Sequence, residues 1–171
     1  MNRVLIVYDD SNLPKDEVRA IVGRRRFGEV LIGKQSVQER MRALFLDALP
    51  EATLLTLESA EGTAALRETA LAEQSCMDGR RRVLHFFADM VFLQREAAQT
   101  VLKSAAFAER VYTAKAEGHD VFYAFPSAEQ YGDFLRRAAE TGSTRLPLRE
   151  GEAGEIHLRG DEFLWVGSQG R

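Results

Sequence analysis

Continuous apolar runs and helically spaced apolar residues alternate along the first two thirds of the chain. Val4–Tyr8 is apolar throughout and rich in β-branched residues, which predicts a strand buried on both faces. Ser36 and Glu39 have the spacing of a capping box, and Pro50 ends the helix that they begin. The other elements predicted here are strands at Glu29–Ile32, Thr53–Leu57 and Val83–Phe92 and helices at Asp16–Val22, Thr63–Glu73 and Gln94–Ala106.

The last third of the chain has short strands with short connections. Val111–Thr113 and Val121–Phe125 are separated by too few residues for a crossover helix, so we expect them to pair antiparallel. Ser127 begins another helix with the capping spacing. The tail predicts a hairpin of Ile156–Leu158 against Phe163–Trp165, because Gly160-Asp161 between them is a turn signal.

The alternation of strands and helices predicts the fold class. Such alternation is typical of right-handed βαβ units and a largely parallel sheet between helices. We therefore predict one α/β domain over residues 1–171, a three-layer sandwich with a largely parallel, mixed sheet and a C-terminal β-hairpin. Residues 1–140 form the alternating core, and residues 141–171 form a linker and the hairpin. Because the chain stops soon after a strand, one interpretation is that it is a fragment of a longer protein.

Composition narrows the class of protein and its partners. The 171 residues are 45% hydrophobic and 29% charged, as in average globular proteins. With 26 acidic and 23 basic side chains the net charge is −3, so no overall basic field favours a nucleic-acid partner. The single cysteine excludes an intramolecular disulfide and a multi-thiolate zinc site. No apolar run is long enough for a membrane span, and we expect a soluble, cytoplasmic protein.

Acidic residues follow two of the predicted strands. Asp9 and Asp10 come after the first strand, and Asp89 lies late in Val83–Phe92. Because ligands of open parallel sheets bind outside the carboxyl ends of the strands, these carboxylates are candidates to hold Mg²⁺ beside a phosphate. The alternative is that the first two start a turn and that Asp89 caps the next helix. Lys34 precedes the capped helix and is either a phosphate contact at its N-terminus or a solvated turn lysine.

The three histidines lack the partner spacing of a zinc-binding helix. His85 lies within an apolar strand, which predicts a core histidine with satisfied hydrogen bonds. His119 is beside Asp120 and is the only one with a neighbouring carboxylate to orient it.

Phe27–Arg40 and Val83–Phe92 are two segments that resemble parts of the sugar-phosphate nucleotidyltransferases with a glycosyltransferase-A-like core. Phe27–Arg40 is similar to the family segment in which a small loop precedes the helix beneath the nucleotide. Val83–Phe92 is similar to the strand whose terminal aspartate binds Mg²⁺, so the resemblance implies a metal role for Asp89 and a phosphate role for Lys34. The chain departs from the family at Asp9–Lys15, where a glycine-rich phosphate loop with an arginine is expected.

A second resemblance is to response-regulator receiver domains. Val4–Asp10 is similar to their first strand with its acidic pair. Tyr112–Gly118 and Phe125-Pro126 are similar to the late threonine segment and the lysine–proline turn of that family, with Phe125 in place of the lysine.

The nucleotidyltransferase resemblance implies a nucleotide- or sugar-phosphate-binding or regulatory domain, a degenerate family member in surface-polysaccharide metabolism. If the chain is an enzyme, Asp89 with Asp9 or Asp10 would hold Mg²⁺, and Lys34 would neutralise charge on a transferred phosphate. The alternative is a non-catalytic module for protein–protein interaction or homo-oligomerisation. That module would use the outer strand of the terminal hairpin, with Trp165, as an edge for pairing.

Overall fold

Ten strands and three helices make up the part of the chain that the structure, a computed structural model, describes. The described residues are 4–10, 31–32, 35–57, 82–88, 90–92, 95–106, 109–116, 119–141, 144, 153–158 and 163–165. The strands are β1 (Val4–Asp9), β2 (Leu31–Ile32), β3 (Gln35–Ser36), β4 (Thr53–Leu57), β5 (Arg82–Phe87), β6 (Met90–Phe92), β7 (Val111–Ala116), β8 (His119–Phe125), β9 (Ala153–Leu158) and β10 (Phe163–Trp165). The helices are α1 (Val37–Ala48), α2 (Arg95–Ala105) and α3 (Ala128–Thr141).

Six strands form one mixed sheet in the order β4-β1-β5-β8-β7-β9. β1 pairs in parallel with β4 and β5, and β7 pairs in parallel with β9. β8 runs antiparallel to β7, as the short connection between them predicts, and it also runs antiparallel to β5. The predicted α/β fold with a largely parallel, mixed sheet is therefore confirmed. All six residues of β1 are buried, because this strand lies between two others and under helices on both faces.

Helices cover both faces of the sheet and create two cores. On one face, residues of α1 and α2 such as Phe45 and Leu102 pack on Ile6, Phe86 and Phe122. On the other face, the apolar side of α3 packs on the alternate residues of the same strands. That second core contains Leu5, Val7, Val83, Phe87, Tyr123, Phe125, Tyr131, Phe134 and Leu135.

The predicted caps are present at two helices. Ser36 Oγ accepts a hydrogen bond from the backbone N–H of Glu39 at 3.1 Å, which caps α1. Ser127 Oγ accepts from the backbone N–H of Gln130 at 3.3 Å, at the start of α3. Each cap satisfies an N–H group that the first helical turn leaves without a partner. The predicted helices Asp16–Val22 and Thr63–Glu73 lie outside the described residues.

The predicted C-terminal β-hairpin is wrong. Its two strands exist, but β9 pairs in parallel with β7, and β10 pairs antiparallel with β6. The physical reason is the length of the ladders, since β7 offers β9 six paired positions, whereas β10 has only three residues.

The single strand predicted at Val83–Phe92 is also wrong. It is divided into β5 and β6, which belong to different sheets. The division comes at Ala88, whose backbone N–H donates to the carbonyl oxygen of Asp9 at 2.9 Å. Among the described helices, none is long and apolar enough to cross a membrane.

Candidate functional site

The carboxyl ends of β4, β1 and β5 lie side by side at one edge of the sheet. The parallel register places Asp9 beside Leu57 on one side and beside Phe87 on the other. One residue further on, the backbone N–H of Asp10 donates to the carbonyl oxygen of Leu57 at 2.8 Å. The Ala88 N–H bond to Asp9 ties the end of β5 to the same point. Asp10 and the residue that precedes Asp89 are thus fixed at one edge, which we call the carboxyl edge.

Four buried side chains meet just inside the carboxyl edge. Asp9 Oδ2 lies 2.7 Å from His85 Nε2 and also accepts a hydrogen bond from the Thr144 hydroxyl. His85 Nδ1 lies 2.8 Å from the hydroxyl oxygen of Tyr131. We call Asp9, His85, Tyr131 and Thr144 the buried polar cluster. It joins β1, β5 and α3 to a residue beyond the end of α3, and none of its members is more than 2% exposed.

With a neutral imidazole, the donors and acceptors of the cluster are assigned as follows. An ionised carboxylate only accepts hydrogen bonds, so His85 Nε2 carries the proton that points to Asp9. In the neutral imidazole Nδ1 is then an acceptor, and the Tyr131 hydroxyl donates to it. Burial, and secondly the negative charge of Asp9, raise the pKa of Tyr131 well above its ordinary value of 10.0. Tyr131 therefore keeps its proton and acts as a donor at neutral pH.

Aromatic rings surround His85 and separate the cluster from solvent. Their centroids lie 5.3 to 6.4 Å from the centroid of the imidazole ring. The rings are those of Phe87, Tyr123, Tyr131 and Phe134. In such surroundings a polar group must find its partners within the protein. The prediction that His85 is a core histidine with satisfied hydrogen bonds is confirmed.

The structure describes some of the predicted site residues and not others. Asp9 and Asp10 lie at the carboxyl end of β1, as expected, and both are buried. Asp89 and Lys34 lie outside the described residues, and so does the side chain of His119. Within the described part of the chain, no group of three or more His, Cys, Asp or Glu side chains is arranged to hold a metal ion. The roles of Asp10, Asp89 and Lys34 stay predictions.

The residues present fit Mg²⁺ in part. Carboxylate oxygens at strand ends are donors that this hard cation prefers. Asp9 fits this role poorly, because its Oδ2 already accepts hydrogen bonds from His85 and Thr144 inside the core. What Asp9 can do chemically is anchor the end of β1.

Sequence reasoning missed two members of the buried polar cluster. The helical spacing correctly predicts that Tyr131 is on the buried side of the helix. No local signal links its hydroxyl to His85, which is 46 positions away. Thr144 lies in the stretch interpreted as a linker and is bonded to a residue 135 positions away. The one available signal was His85 itself, because a buried imidazole requires two polar partners.

The chain matches no protein-family model and no curated protein sequence, but solved structures are similar over nearly its whole length. The nucleoside-diphosphate-sugar pyrophosphorylase from Vibrio cholerae RC9 is 11% identical, with a TM-score of 0.51 over 96% of both chains. The CTP:phosphocholine cytidylyltransferase from Streptococcus pneumoniae is 11% identical, with a TM-score of 0.50 over 97% of this chain and 94% of that one. The molybdopterin-guanine dinucleotide biosynthesis protein A from Archaeoglobus fulgidus is 16% identical, with a TM-score of 0.49 over 92% and 84%.

These likenesses concern the fold. The first two, which extend over almost all of each chain, show that this chain has a nucleotidyltransferase-like α/β fold. The receiver resemblance finds no support. Receiver domains have a doubly wound parallel sheet, whereas β8 runs antiparallel to both of its neighbours here.

Proposed function

We propose that this chain binds a nucleotide or a sugar phosphate at the carboxyl edge of β4, β1 and β5. The fold supports this, because open α/β sheets bind ligands outside the carboxyl ends of their strands. The observation that carries the proposal is the 2.9 Å backbone bond from Ala88 to Asp9. It keeps the residue before Asp89 beside the end of β1, so that two acidic positions serve one site.

Each acidic residue has its own role in this proposal. Asp89 provides the Mg²⁺ contact, and Asp10, at the carboxyl edge, is the second acidic residue of the site. Asp9 supports them from within the buried polar cluster. Lys34, just before α1, contacts a phosphate of the ligand. When bound, Mg²⁺ neutralises phosphate charge.

The sequence of the segment after β1 favours a binding or regulatory role over a catalytic one. Asp9–Lys15 has none of the glycines that let a backbone wrap closely around a triphosphate. We therefore propose a degenerate member of the fold that senses or holds its ligand. Surface-polysaccharide metabolism is the setting that the family resemblance implies, and the cytoplasm is the proposed compartment.

Thermal unfolding against a ligand panel tests the proposal. The panel contains nucleoside triphosphates, sugar phosphates and nucleotide sugars, each with Mg²⁺ and with EDTA. A ligand at 100 times its dissociation constant stabilises a protein by about 2.7 kcal/mol. We expect at least one compound to raise the midpoint of thermal unfolding by about 5–10 °C in the presence of Mg²⁺ but not in EDTA. A panel without any shift would contradict the proposal.

Two substitutions then test the residues. Asp89→Asn should abolish the Mg²⁺-dependent shift, whereas Asp133→Asn, at an exposed position on α3, should leave it unchanged. Lys34→Ala should weaken phosphate binding, and Lys103→Ala, exposed on α2, is its matched control. Equal behaviour of a variant and its control would remove that residue from the site.

The interaction module is not proposed as a second function. It depended on the outer strand of a terminal hairpin, and β10 instead pairs with β6. Association with a partner or a second copy stays a prediction, which the solution masses of the native chain and of Trp165→Ala test.

A further inference from the structure

The buried polar cluster is an unusual way to fill a core. Polar groups lose their hydration on burial, and replacing buried ion pairs by apolar residues of similar volume is often neutral or stabilising. Apart from the cluster, the core around His85 consists of aromatic and aliphatic side chains that pack α3 on the sheet. Four polar side chains in that core therefore call for a role beyond holding α3.

The position of the cluster indicates what that role is. Its acceptor, Asp9, is the last residue of β1 and precedes Asp10. The carbonyl oxygen of the same Asp9 accepts the backbone bond from Ala88, the residue before Asp89. Asp9 thus receives hydrogen bonds from the core through its side chain and from the carboxyl edge through its main chain.

We propose that His85, Tyr131 and Thr144 are positioning residues for the ligand site: acting through Asp9, they fix the carboxyl edge in the geometry that binds Mg²⁺ and phosphate. This inference rests on the proposed function and deepens it. It also links α3 to the site, because the His85 ring bonds to the Tyr131 hydroxyl at one nitrogen and to Asp9 at the other.

The physical mechanism is the orientation of one carboxylate. Hydrogen bonds to a charged acceptor are short and strong, and two donors from different directions fix the plane of the Asp9 carboxylate. Without the Tyr131 hydroxyl the imidazole loses the hydrogen bond at Nδ1, and without the Thr144 hydroxyl the carboxylate loses one of its donors. The end of β1 then has more than one arrangement, and only part of the population presents the carboxyl edge correctly. In metal sites, changes to such supporting partners typically weaken binding about 10–100-fold.

The experiment compares hydroxyl deletions within one aromatic core. Tyr131→Phe and Thr144→Val each remove a cluster hydroxyl and keep the shape of the side chain. Tyr123→Phe is the matched control, because Tyr123 contacts the same imidazole but donates its hydroxyl to Asp120 at 3.0 Å. His85→Gln keeps an N–H donor for Asp9 and His85→Leu does not, so that the pair tests rescue by a conservative variant.

Binding is measured by equilibrium dialysis well below each midpoint of unfolding. The probes are the four ribonucleoside triphosphates and glucose 1-phosphate, with Mg²⁺ or with EDTA, and urea unfolding is recorded in parallel. We expect Tyr131→Phe and Thr144→Val to weaken Mg²⁺-dependent binding about tenfold at unchanged stoichiometry. Binding in EDTA and the Tyr123→Phe control should not change, and His85→Gln should bind more tightly than His85→Leu.

Three other outcomes overturn the inference in distinguishable ways. Lower stability with unchanged affinity would show that the cluster is structural only, and the proposed function would stand. An equal loss of affinity in Tyr123→Phe would show that any change in this core has the same effect. If the native chain retains none of the probes, the proposed function and the inference fail together.

Discussion

The two faces of the central sheet are built from different chemistry. On the face of α1 and α2, the contact with the sheet is mostly apolar, and in its centre Phe86 stacks on Phe122 and is tilted against Phe45. One part-buried hydrogen bond joins Gln38 Nε2 of α1 to Thr56 Oγ1 of β4 at 3.5 Å. A polar contact between the two helices lies on the exposed rim, where Arg95 donates to Asp47. On the face of α3 the buried polar cluster lies within the core. In the part of the chain that the structure describes, the face of α1 and α2 has no comparable cluster, so packing helices on this sheet does not by itself require one.

The largest effect on stability is expected on the apolar face. Phe86 is fully buried, with ring centroids 4.5 Å from Phe122 and 4.8 Å from Phe45. Phe86→Ala removes these contacts and leaves a cavity, so urea unfolding should show a loss of about 3–5 kcal/mol. At a temperature where the variant is folded, ligand affinity should match that of the native chain. A specific loss of affinity would mean that both faces support the site.

A smaller loss is expected where β9 packs closely against β7 on the apolar face. A Cβ atom at Gly154 would lie 2.5 Å from Cε1 of Tyr112, closer than carbon atoms approach. The Tyr112 ring must therefore move, while Arg110 lies over it with Cζ 5.8 Å from its centroid. We expect Gly154→Ala to destabilise the chain by about 1–3 kcal/mol in urea unfolding. The same substitution in a Tyr112→Leu background should have a clearly smaller effect, and equal effects would exclude the steric explanation.

On the polar face, Tyr131→Phe should have a smaller effect at neutral pH and a distinctive one in alkali. Loss of the hydrogen bond to His85 should reduce the free energy of unfolding by about 1–2 kcal/mol. Because burial raises the pKa of Tyr131, the unfolded chain releases this proton first as the pH rises above 10.0. The contribution of Tyr131 to the free energy of unfolding is therefore complete below that pH and declines above it. Unfolding of both chains from pH 7 to 11 should show the difference narrowing, and a constant difference would contradict the raised pKa.

Local sequence signals predicted the apolar face well. Val4–Tyr8 is continuously apolar because it forms the centre of β1, between two strands and two helical layers. The capping box at Ser36 depends only on residues three positions apart, and it forms as expected. Where pairing is determined by distant strands, local signals mislead. The tail of the chain has the pattern of a hairpin, yet β9 and β10 find their partners in β7 and β6.

Only the acidic residues of the candidate site were predictable from the sequence. Acidic residues after a buried strand indicated the carboxyl edge, and the backbone bonds of Asp9 and Asp10 agree with it. The other part consists of the hydroxyl groups of Tyr131, which bonds to His85, and of Thr144, which bonds to Asp9. Both bonds form only after α3 has packed on the sheet. A tyrosine on the apolar side of a helix has the same pattern whether its hydroxyl reaches solvent or an imidazole, so the sequence alone does not distinguish them.

The smallest effect is expected at the rim of the apolar face. Arg95 donates to Asp47 through Nε at 2.8 Å and Nη2 at 2.6 Å, and Gln99 donates to the same carboxylate. Hydrogen bonds from Arg95, then from Gln99, hold the pKa of Asp47 below its ordinary value of 3.8. Any stabilisation of the folded chain by the ionised Asp47 is thus complete above that pH and is lost as the pH falls below it. The pair is exposed and screened by salt.

Asp47→Asn should therefore change urea unfolding far less than Tyr131→Phe does at pH 7. The difference from the native chain should shrink with added salt, and it should vanish in acid once Asp47 is protonated, since the native side chain is then neutral as well. A loss as large as that of Tyr131→Phe, persisting in salt, would show that the apolar face also depends on a polar contact. The contrast between the faces would then no longer support a separate role for the buried polar cluster.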